Sequence, residues 1–231
     1  MLKVDNINLY YGAAQALRGV SLSAEPGKVT CVLGRNGVGK TSLLRALVGQ
    51  YPIASGSISF DGTDISGLKP YERARRGIGF VPQGREIFPL LTVEENLKTG
   101  FGPLKRDDRH IPDDVFSLFP VLQSMLGRRG GDLSGGQQQQ LAIGRALVLQ
   151  PSLLILDEPT EGIQPNIVHE IGDIILRLNR EAGVTVLLVE QKLPFARRIA
   201  SEFRILEKGR CVAQGAIDAL TDDVVRSHLS V

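Results

Sequence analysis

The chain has 231 residues, 42% of them hydrophobic, and its 27 lysine and arginine residues nearly balance 25 aspartate and glutamate residues for a formal net charge of +2. A chain of this length forms one large domain or two small lobes, and it buries enough apolar surface to fold without a disulfide or metal staple. Its arginine pairs, such as Arg75-Arg76 and Arg197-Arg198, are scattered along the chain, which disfavours nucleic-acid binding.

The two cysteines and the apolar runs bear on the compartment of the protein. Cys31 and Cys211 each lie in an apolar stretch, which is typical of buried thiols in a reducing compartment. The N-terminal segment lacks the pattern of a secretory signal, and runs such as residues 184–189 are too short to span a membrane. We therefore expect a cytosolic protein that reaches a membrane only through a partner.

The first third of the chain predicts strands followed by a loop and a helix. Residues 1–31 alternate apolar and polar side chains, which indicates short antiparallel strands. The apolar run at residues 29–33 predicts a buried strand that enters a glycine-rich loop and then a helix over residues 41–48. Residues 57–60, ahead of Asp61-Gly62, predict another strand and a tight turn.

The glycine-rich loop has the pattern of a phosphate-binding loop. Residues 34–41 read GRNGVGKT and fit G-x-x-x-x-G-K-[ST]. In such a loop the backbone N–H groups converge on phosphate oxygens, the lysine reaches the β- and γ-phosphates, and the hydroxyl can ligate Mg²⁺. The candidate nucleotide ligands are Gly34, Arg35, Asn36, Gly37, Val38, Gly39, Lys40, Thr41 and Ser42, with Thr41 also a candidate metal ligand. The alternative, a glycine-rich turn with an incidental lysine, is disfavoured by the flanking strand and helix.

Residues 84–133 have a different character. Thr92 and Glu95 have the spacing of a helix capping box, and residues 101–114 are rich in glycine, proline and charge. We interpret this stretch as a small helical lobe inserted into a nucleotide-binding core of residues 1–83 and 134–231.

A second candidate phosphate site follows the inserted lobe. Residues 133–137 read LSGGQ, and the spacing of Ser134 and Gln137 is itself that of a capping box. The cap does not require Gly135 and Gly136, whose bare N–H groups at a helix start suit a second phosphate.

The remainder predicts a β-α-β unit that ends in a carboxylate pair. Residues 153–156 and 184–189 are apolar runs of the kind that form parallel strands covered on both faces, and a helix from Pro165 to Gly183 joins them. Asp157 and Glu158 follow the first of these strands, at the edge where open α/β sheets bind ligands. We expect Asp157 to hold Mg²⁺ through its water shell and Glu158 to orient and polarise an attacking water; the alternative is a solvated turn.

The tail predicts two more strands and a short helix. Strand-like residues 203–206 and 211–213 flank Lys208-Gly209, and the helical segment follows them.

The order of these motifs along the chain resembles the ATP-binding subunits of ABC transporters. The resemblance spans residues 1–231 as one domain and implies an α/β fold of the P-loop NTPase class, with a RecA-like core, an antiparallel β subdomain and an inserted α-helical subdomain. It also implies ATP hydrolysis with Mg²⁺ by two subunits paired head to tail, with the LSGGQ segment of one closing over the nucleotide of the other.

The resemblance assigns further site residues. It implies that Tyr11 stacks on adenine and that Gln83 contacts Mg²⁺ and the attacking water. Gln191 stands where the family usually has a histidine, so we expect it to sense the γ-phosphate without carrying a proton. Gln164 stands where an aspartate is common, which removes the usual aspartate contact across the dimer. The expected catalytic residues are therefore Glu158, Gln83 and Gln191.

The resemblance also implies partners and a location. The partners are permease subunits, a second ATP-binding subunit that is a paralogue or another copy, and indirectly a periplasmic solute-binding protein. The location is the cytoplasmic face of the inner membrane, reached through the permeases. Apolar side chains within residues 83–91 are expected either to form the wall of a groove for a permease helix or to pack beneath the lobe.

Local stretches point to a branch of the family. Residues 83–89, 127–132, 137–140 and 161–165 look most like the ATP-binding subunits of urea transporters. The alternative is an importer of branched-chain amino acids, which shares the architecture. A non-transport ABC ATPase is a lower alternative, since its classes carry a long coiled-coil insert or a second cassette. A module that binds ATP without hydrolysis is disfavoured by Glu158 and Lys40.

Overall fold

The computed structural model describes residues 1–229, which form two β-sheets and nine α-helices. In chain order these elements are β1 (Leu2–Tyr11), β2 (Ala14–Ala24), β3 (Val29–Leu33), α1 (Lys40–Leu47), β4 (Ser55–Phe60), β5 (Thr63–Asp64), α2 (Pro70–Arg75), β6 (Ile78–Val81), α3 (Val93–Thr99), α4 (Asp113–Leu118), α5 (Pro120–Ser124), α6 (Gly135–Leu147), β7 (Leu153–Asp157), α7 (Pro165–Glu181), β8 (Thr185–Glu190), α8 (Leu193–Ile199), β9 (Glu202–Glu207), β10 (Arg210–Ala216) and α9 (Asp222–His228).

The larger sheet sets the position of the loops that matter for function. Its strand order is β10-β9-β3-β8-β7-β6, and every neighbouring pair is parallel except β9 with β10. Strands β3, β7 and β8 are buried along their whole length, as their continuous apolar sequences predict for strands covered on both faces. The loops after β3, β8, β7 and β6 therefore leave the same edge of the sheet side by side.

The side chains of the central strands alternate between two hydrophobic cores. Leu153 and Ile155 of β7 pack with the smaller sheet and α1, whereas Leu154 and Leu156 pack with the helices on the opposite face. Each buried leucine contributes roughly 1.5–3 kcal/mol of transfer free energy. The sheet is consequently held between two packed layers, from which the loops of its carboxyl edge emerge.

The smaller sheet is antiparallel, with strand order β2-β1-β4-β5, as the alternation in residues 1–31 predicts. Strand β4 begins at Ser55, two residues before the predicted start, and α1 spans Lys40–Leu47 rather than residues 41–48. Both differences are at element ends, where local sequence is least decisive.

The helical region begins with the predicted capping box. Thr92 Oγ1 accepts a hydrogen bond from the Glu95 N–H, and the Glu95 carboxylate accepts one from the Thr92 N–H. Helix α6 packs on α3, where Leu97 lies against Gly144, and it also contacts β6 of the large sheet. Because α6 touches both parts, the division between core and lobe at residues 133 and 134 stays a prediction.

One cysteine differs from the sequence-based expectation. Cys31 is buried but Cys211 is only half-buried, because β10 is an edge strand whose residues alternate between half-buried and exposed positions. On α7, Ile167 is half-buried near the start of α6, while Ile171, Ile174 and Leu178 are buried. Within residues 1–229, no helix has the length and apolar character needed to cross a membrane.

Candidate active site

The four loops at the carboxyl edge of the large sheet surround one cleft of about 1000 Å³. The loop after β3 and the start of α1 contribute residues from Asn36 to Ser42, and the loops after β6, β7 and β8 contribute Gln83, Glu158 and Gln191. The structure thus brings together residues that lie more than a hundred positions apart in the sequence. Tyr11, from the end of β1, lines the same cleft.

Glycines in the loop after β3 occupy positions that other residues could not adopt without strain. Gly37 and Gly39 have φ angles of +78° and +108°, in the left-handed region. A Cβ atom on Gly34 would lie 2.5 Å from the carbonyl oxygen of Leu206. The loop therefore takes a conformation that leaves its backbone N–H groups free to face a phosphate.

Lys40 is held by its own loop. Its side chain is 5% exposed, and Nζ donates to the carbonyl oxygens of Gly34 at 2.7 Å and Arg35 at 2.9 Å. Nζ also lies 3.4 Å from Oε1 of Glu158. Together with the positive end of the α1 dipole, this ammonium makes the cleft floor attractive to an anion. Thr41 and Ser42 follow in the first turn of α1 and line the same floor.

Glu158 is anchored from both sides. Its φ angle of +46° places a non-glycine residue in the left-handed region, which costs on the order of 1–3 kcal/mol. Its N–H donates to the Val189 carbonyl at 2.9 Å, and its Oε1 accepts from Gln191 Nε2 at 2.6 Å. The surrounding contacts thus fix the direction of this carboxylate.

Gln191 bridges the phosphate-binding loop and Glu158, since its Nε2 also donates to Asn36 Oδ1 at 2.7 Å. The turn that carries Gln191 is fixed by Glu190, whose side chain is 2% exposed. One Glu190 oxygen accepts from the N–H groups of Gln191 at 2.7 Å and Lys192 at 2.9 Å, and the other accepts from the Thr160 hydroxyl. Sequence analysis missed Glu190, although an acidic residue at the end of a fully buried strand was an available signal.

Gln83 approaches the carboxylates of the cleft. Its Nε2 donates to Glu161 Oε2 at 2.9 Å and lies 3.5 Å from Glu158 Oε2. Glu161 lines the cleft and was not identified from the sequence, because nothing local distinguishes it from a solvated turn residue.

Acidic residues at the cleft can be compared with the needs of a divalent cation: Glu158 and Glu161 line the cleft, and Asp157 is buried directly before Glu158. Burial and the adjacent Glu158 carboxylate raise the pKa of Asp157 from 3.8 to about 6. A cation nearby would favour the charged form of Asp157, and oxygen donors such as Asp157, Thr41 and Gln83 are the kind that Mg²⁺ prefers. The residues present are therefore compatible with the metal expected from the sequence.

Tyr11 presents an aromatic surface at the mouth of the cleft. Its ring centroid lies 4.5 Å from that of Tyr51, with the planes tilted by 56°, so Tyr51 backs the Tyr11 ring. Aromatic faces of this kind can stack on a base. The β9–β10 hairpin closes the same side, because the Gly209 N–H donates to the Val38 carbonyl at 2.8 Å. A Cβ on Gly209 would lie 2.4 Å from the Ala16 carbonyl oxygen, which explains a glycine that sequence analysis left without a role.

The LSGGQ segment does not join this cleft in the described part of the chain. Ser134 and Gln137 form the reciprocal cap at the start of α6, with Ser134 Oγ accepting from the Gln137 N–H at 3.3 Å and Gln137 Oε1 from the Ser134 N–H at 2.9 Å. Gly136 is buried, and a Cβ there would lie 2.8 Å from Ile167, so packing also requires this glycine. Gly135 is half-buried beside the Arg85 guanidinium. One chain therefore carries the two candidate phosphate sites on separate surfaces.

Comparisons with known sequences agree with this arrangement. Residues 17–161 match the family described as ABC transporter. The chain is 46% identical over 213 residues to the high-affinity branched-chain amino acid transport ATP-binding protein BraG of Pseudomonas aeruginosa, which covers 92% of this chain and 91% of that protein. It is 34% identical over 223 residues to the probable branched-chain amino acid transport ATP-binding protein LivF of Archaeoglobus fulgidus, covering 96% of this chain and 94% of the relative. It is 33% identical over 227 residues to the glutamate/aspartate import ATP-binding protein GltL of Escherichia coli K12, with the same coverage of 96% and 94%.

Solved structures resemble the fold over the whole chain. A nucleotide-free ATP-binding cassette from an ABC transporter superposes with a TM-score of 0.85 at 28% identity, covering 100% of this chain and 95% of the other. A dimeric cassette in a post-hydrolysis state with ADP and Pi superposes with a TM-score of 0.82 at 25% identity, covering 94% and 99%.

Proposed function

The chain belongs to the ABC transporter family, and from this premise we propose that it powers the import of branched-chain amino acids. It is an ATP-hydrolysing subunit that uses Mg²⁺ and works with permease subunits. The observation that carries the choice of solute is the 46% identity to the Pseudomonas aeruginosa relative over 92% of the chain.

The residues at the cleft have different proposed roles in binding nucleotide and metal. The backbone of residues 34–39 and the Lys40 ammonium bind the phosphates, while Tyr11 stacks on the base. Thr41, Gln83 and the Asp157 carboxylate hold Mg²⁺, which when bound neutralises charge that develops on the transferring phosphoryl group. Lys40 shifts from its loop carbonyls to the phosphates when nucleotide enters.

Glu158 is assigned to the attacking water. Its carboxylate orients the water and accepts its proton, as general bases do within hydrogen-bond reach. Gln191 joins Glu158 and Asn36 through the two N–H groups of its amide, so it donates to the γ-phosphate only in place of one of these bonds. The amide cannot accept the proton in place of a histidine.

A complete site requires a second ATP-binding subunit, which is either a paralogue or another copy. The Ser134 segment lies outside the cleft of its own chain and presents a capped helix start to solvent. We infer that it closes over the nucleotide held by the partner, so that ATP joins the two subunits and hydrolysis separates them.

The surface next to Gln83 is suited to a permease. Ile87 packs into the core, whereas the side chains of Phe88 and Leu90 are 48% and 79% exposed. Large exposed apolar side chains beside a moving loop favour docking of a short partner helix. Packing beneath the lobe is thus supported for Ile87, and a permease contact is supported for Phe88 and Leu90.

Urea import is the second candidate. It was expected from residues 83–89, 127–132, 137–140 and 161–165, yet the relatives described above are named for amino acids and none of them for urea. Branched-chain amino acid import is therefore the better supported solute.

Uptake of labelled leucine and labelled urea, at low external concentration, tests the proposal. Three strains would be compared: cells from which the gene is deleted, and deletion cells that carry either the wild-type gene or the Glu158→Gln variant. The variant is expected to fold like the wild type but lacks the assigned base. Selective loss of leucine uptake in the null and Glu158→Gln cells is expected. Selective loss of urea uptake would overturn the solute while keeping the ATPase, and unchanged uptake of both would reject both candidates.

A further inference from the structure

The turn that follows Gln83 has an unusual backbone. Gly84, Arg85 and Glu86 have φ angles of +77°, +71° and +46°, so two consecutive non-glycine residues lie in the left-handed region. Such conformations are costly for residues with a Cβ and persist only where surrounding contacts enforce them. The contacts around this turn therefore show which other parts of the protein hold it in this conformation.

Helix α6 supplies the backbone contacts. The guanidinium of Arg145 donates to the carbonyl oxygens of Glu86 at 2.8 Å and Arg85 at 3.1 Å, and it lies 5.6 Å from the ring centroid of Phe88. The turn is thus fastened to the helix that begins with the LSGGQ segment.

The Arg85 side chain makes a second connection to the same helix. One guanidinium nitrogen donates to Gln138 Oε1 at 3.2 Å, and the other donates to the Glu161 carbonyl oxygen at 3.4 Å. Gln138 and Arg145 are seven residues apart and lie on one face of α6. Arg85 consequently lies where the loop of Gln83, the start of α6 and the loop after Glu158 meet.

Gln138 also contacts the segment that precedes Ser134. Its Nε2 donates to the carbonyl oxygens of Leu133 at 3.2 Å and Gly130 at 3.3 Å, while its Oε1 faces Arg85. Donation from Arg85 selects the amide orientation that makes these two bonds possible. Glu161 is held twice, through its carboxylate by Gln83 and through its carbonyl by Arg85.

We propose that Arg85 is a positioning residue that couples the Gln83 loop to the Ser134 segment through Gln138. A displacement of Gln83 on nucleotide binding or release then moves the segment that closes the partner's site. The proposal rests on the proposed function, because it concerns the pairing of two such sites. Arg85 is absent from the residues that line the cleft, so its effect is on geometry and not on ATP contact.

The first test is steady-state hydrolysis of MgATP by the full-length chain with its transport partners. Arg85→Ala should lower kcat roughly tenfold, as small misplacements of catalytic groups do, while KM for MgATP stays within about twofold of wild type. Arg85→Lys, which keeps a charged donor but not the two-pronged fork, should recover part of kcat. Arg180→Ala, at the exposed C-terminal end of α7, is the matched control and should behave as wild type.

Gln138 supplies the second comparison. Gln138→Ala should lower kcat to a similar extent as Arg85→Ala. The double variant should be no slower than the slower single variant, because the two substitutions break the same connection between Arg85 and Gln138. Multiplied losses would show independent roles and overturn the coupling, as would wild-type kcat in Arg85→Ala.

Amide hydrogen exchange of the nucleotide-free chain tests the connection without turnover. Arg85→Ala should speed exchange in residues 130–138 and leave residues 34–42 unchanged. Equal changes in both segments, or none in either, would overturn the proposal. A wild-type transporter that fails to hydrolyse MgATP would reject the proposed function alone, since the exchange result still decides the role of Arg85.

Discussion

Gln191 and Glu158 are joined directly, with Nε2 of the amide 2.6 Å from Oε1 of the carboxylate. The same nitrogen donates to Asn36 at 2.7 Å, so one neutral side chain links the phosphate-binding loop to the expected base. A histidine at this position could also carry a proton or a positive charge. The glutamine cannot, which leaves proton acceptance to Glu158.

Glu158→Gln should retain MgATP binding and lose turnover by ~10²-fold or more, because an amide can hold the water but cannot accept its proton. Phosphate release and nucleotide binding measured on the same preparation check this. Glu181→Gln, at the exposed end of α7, is the control. Turnover near wild type in Glu158→Gln would reject the assignment of the base.

Gln191→Ala should slow turnover roughly tenfold, less than Glu158→Gln, since it removes a hydrogen bond that orients the base but leaves the base in place. Gln191→His should keep more activity than Gln191→Ala because an imidazole retains a donor. Single-turnover hydrolysis by the three proteins measures the order. If Gln191→Ala were as slow as Glu158→Gln, Gln191 would have a direct chemical role.

Tyr11→Ala should weaken binding of MgATP by roughly 5- to 160-fold, given the ~1–3 kcal/mol that aromatic stacking contributes for a base. Tyr10→Ala is the matched control, because Tyr10 precedes Tyr11 in β1, is 41% exposed and does not line the cleft. Equilibrium titration with a fluorescent ATP analogue gives both affinities. Equal affinities for the two variants would contradict the stacking role.

Asp157→Asn should change how stability depends on pH. With the pKa of Asp157 raised from 3.8 to about 6, the folded state binds more protons than the unfolded state between those values, so the free energy of unfolding falls as pH rises through this window. Asparagine does not ionise, so in the variant this pH-dependent loss of stability is absent. The stabilisation by Asp157→Asn of the nucleotide-free chain should therefore be larger at pH 8 than at pH 5, by on the order of 1 kcal/mol.

Guanidinium chloride unfolding at the two pH values measures this difference. The exposed Asp107→Asn serves as the control and should show no such pH dependence. A stabilisation of equal size at pH 5 and pH 8 would show that burial of Asp157 does not disfavour its charge.

Phe88→Asp should reduce transport-coupled ATP hydrolysis by tenfold or so while basal hydrolysis by the isolated chain persists, because a buried carboxylate at a permease contact is strongly unfavourable. Phe88→Leu keeps an apolar side chain and should stay coupled. The comparison is ATPase stimulation by solute in membranes that contain the permeases. Loss of basal activity or of folding in Phe88→Asp would instead indicate that Phe88 acts only within its own chain.

Patterns local in sequence predict much of this protein. The loop GRNGVGKT between a buried strand and a helix, the caps at Thr92 and Ser134, and the apolar strands at residues 153–156 and 184–189 follow from the neighbours of each residue. These features depend on backbone conformation and periodicity within a few residues, which is the range over which sequence acts directly.

Only the tertiary structure decides which distant residues meet. The strand order, which no local pattern specifies, places β3 next to β8 and β6 next to β7. The first pairing brings Asn36 beside Gln191, and the second brings Gln83 beside Glu161. The supporting roles of Tyr51 and Arg85 likewise arise from contacts across long sequence separations, as does the bond from the Thr160 hydroxyl to Glu190. Such contacts depend on how whole layers pack, because the free energy that selects them is shared among many buried side chains and does not reside in any one segment.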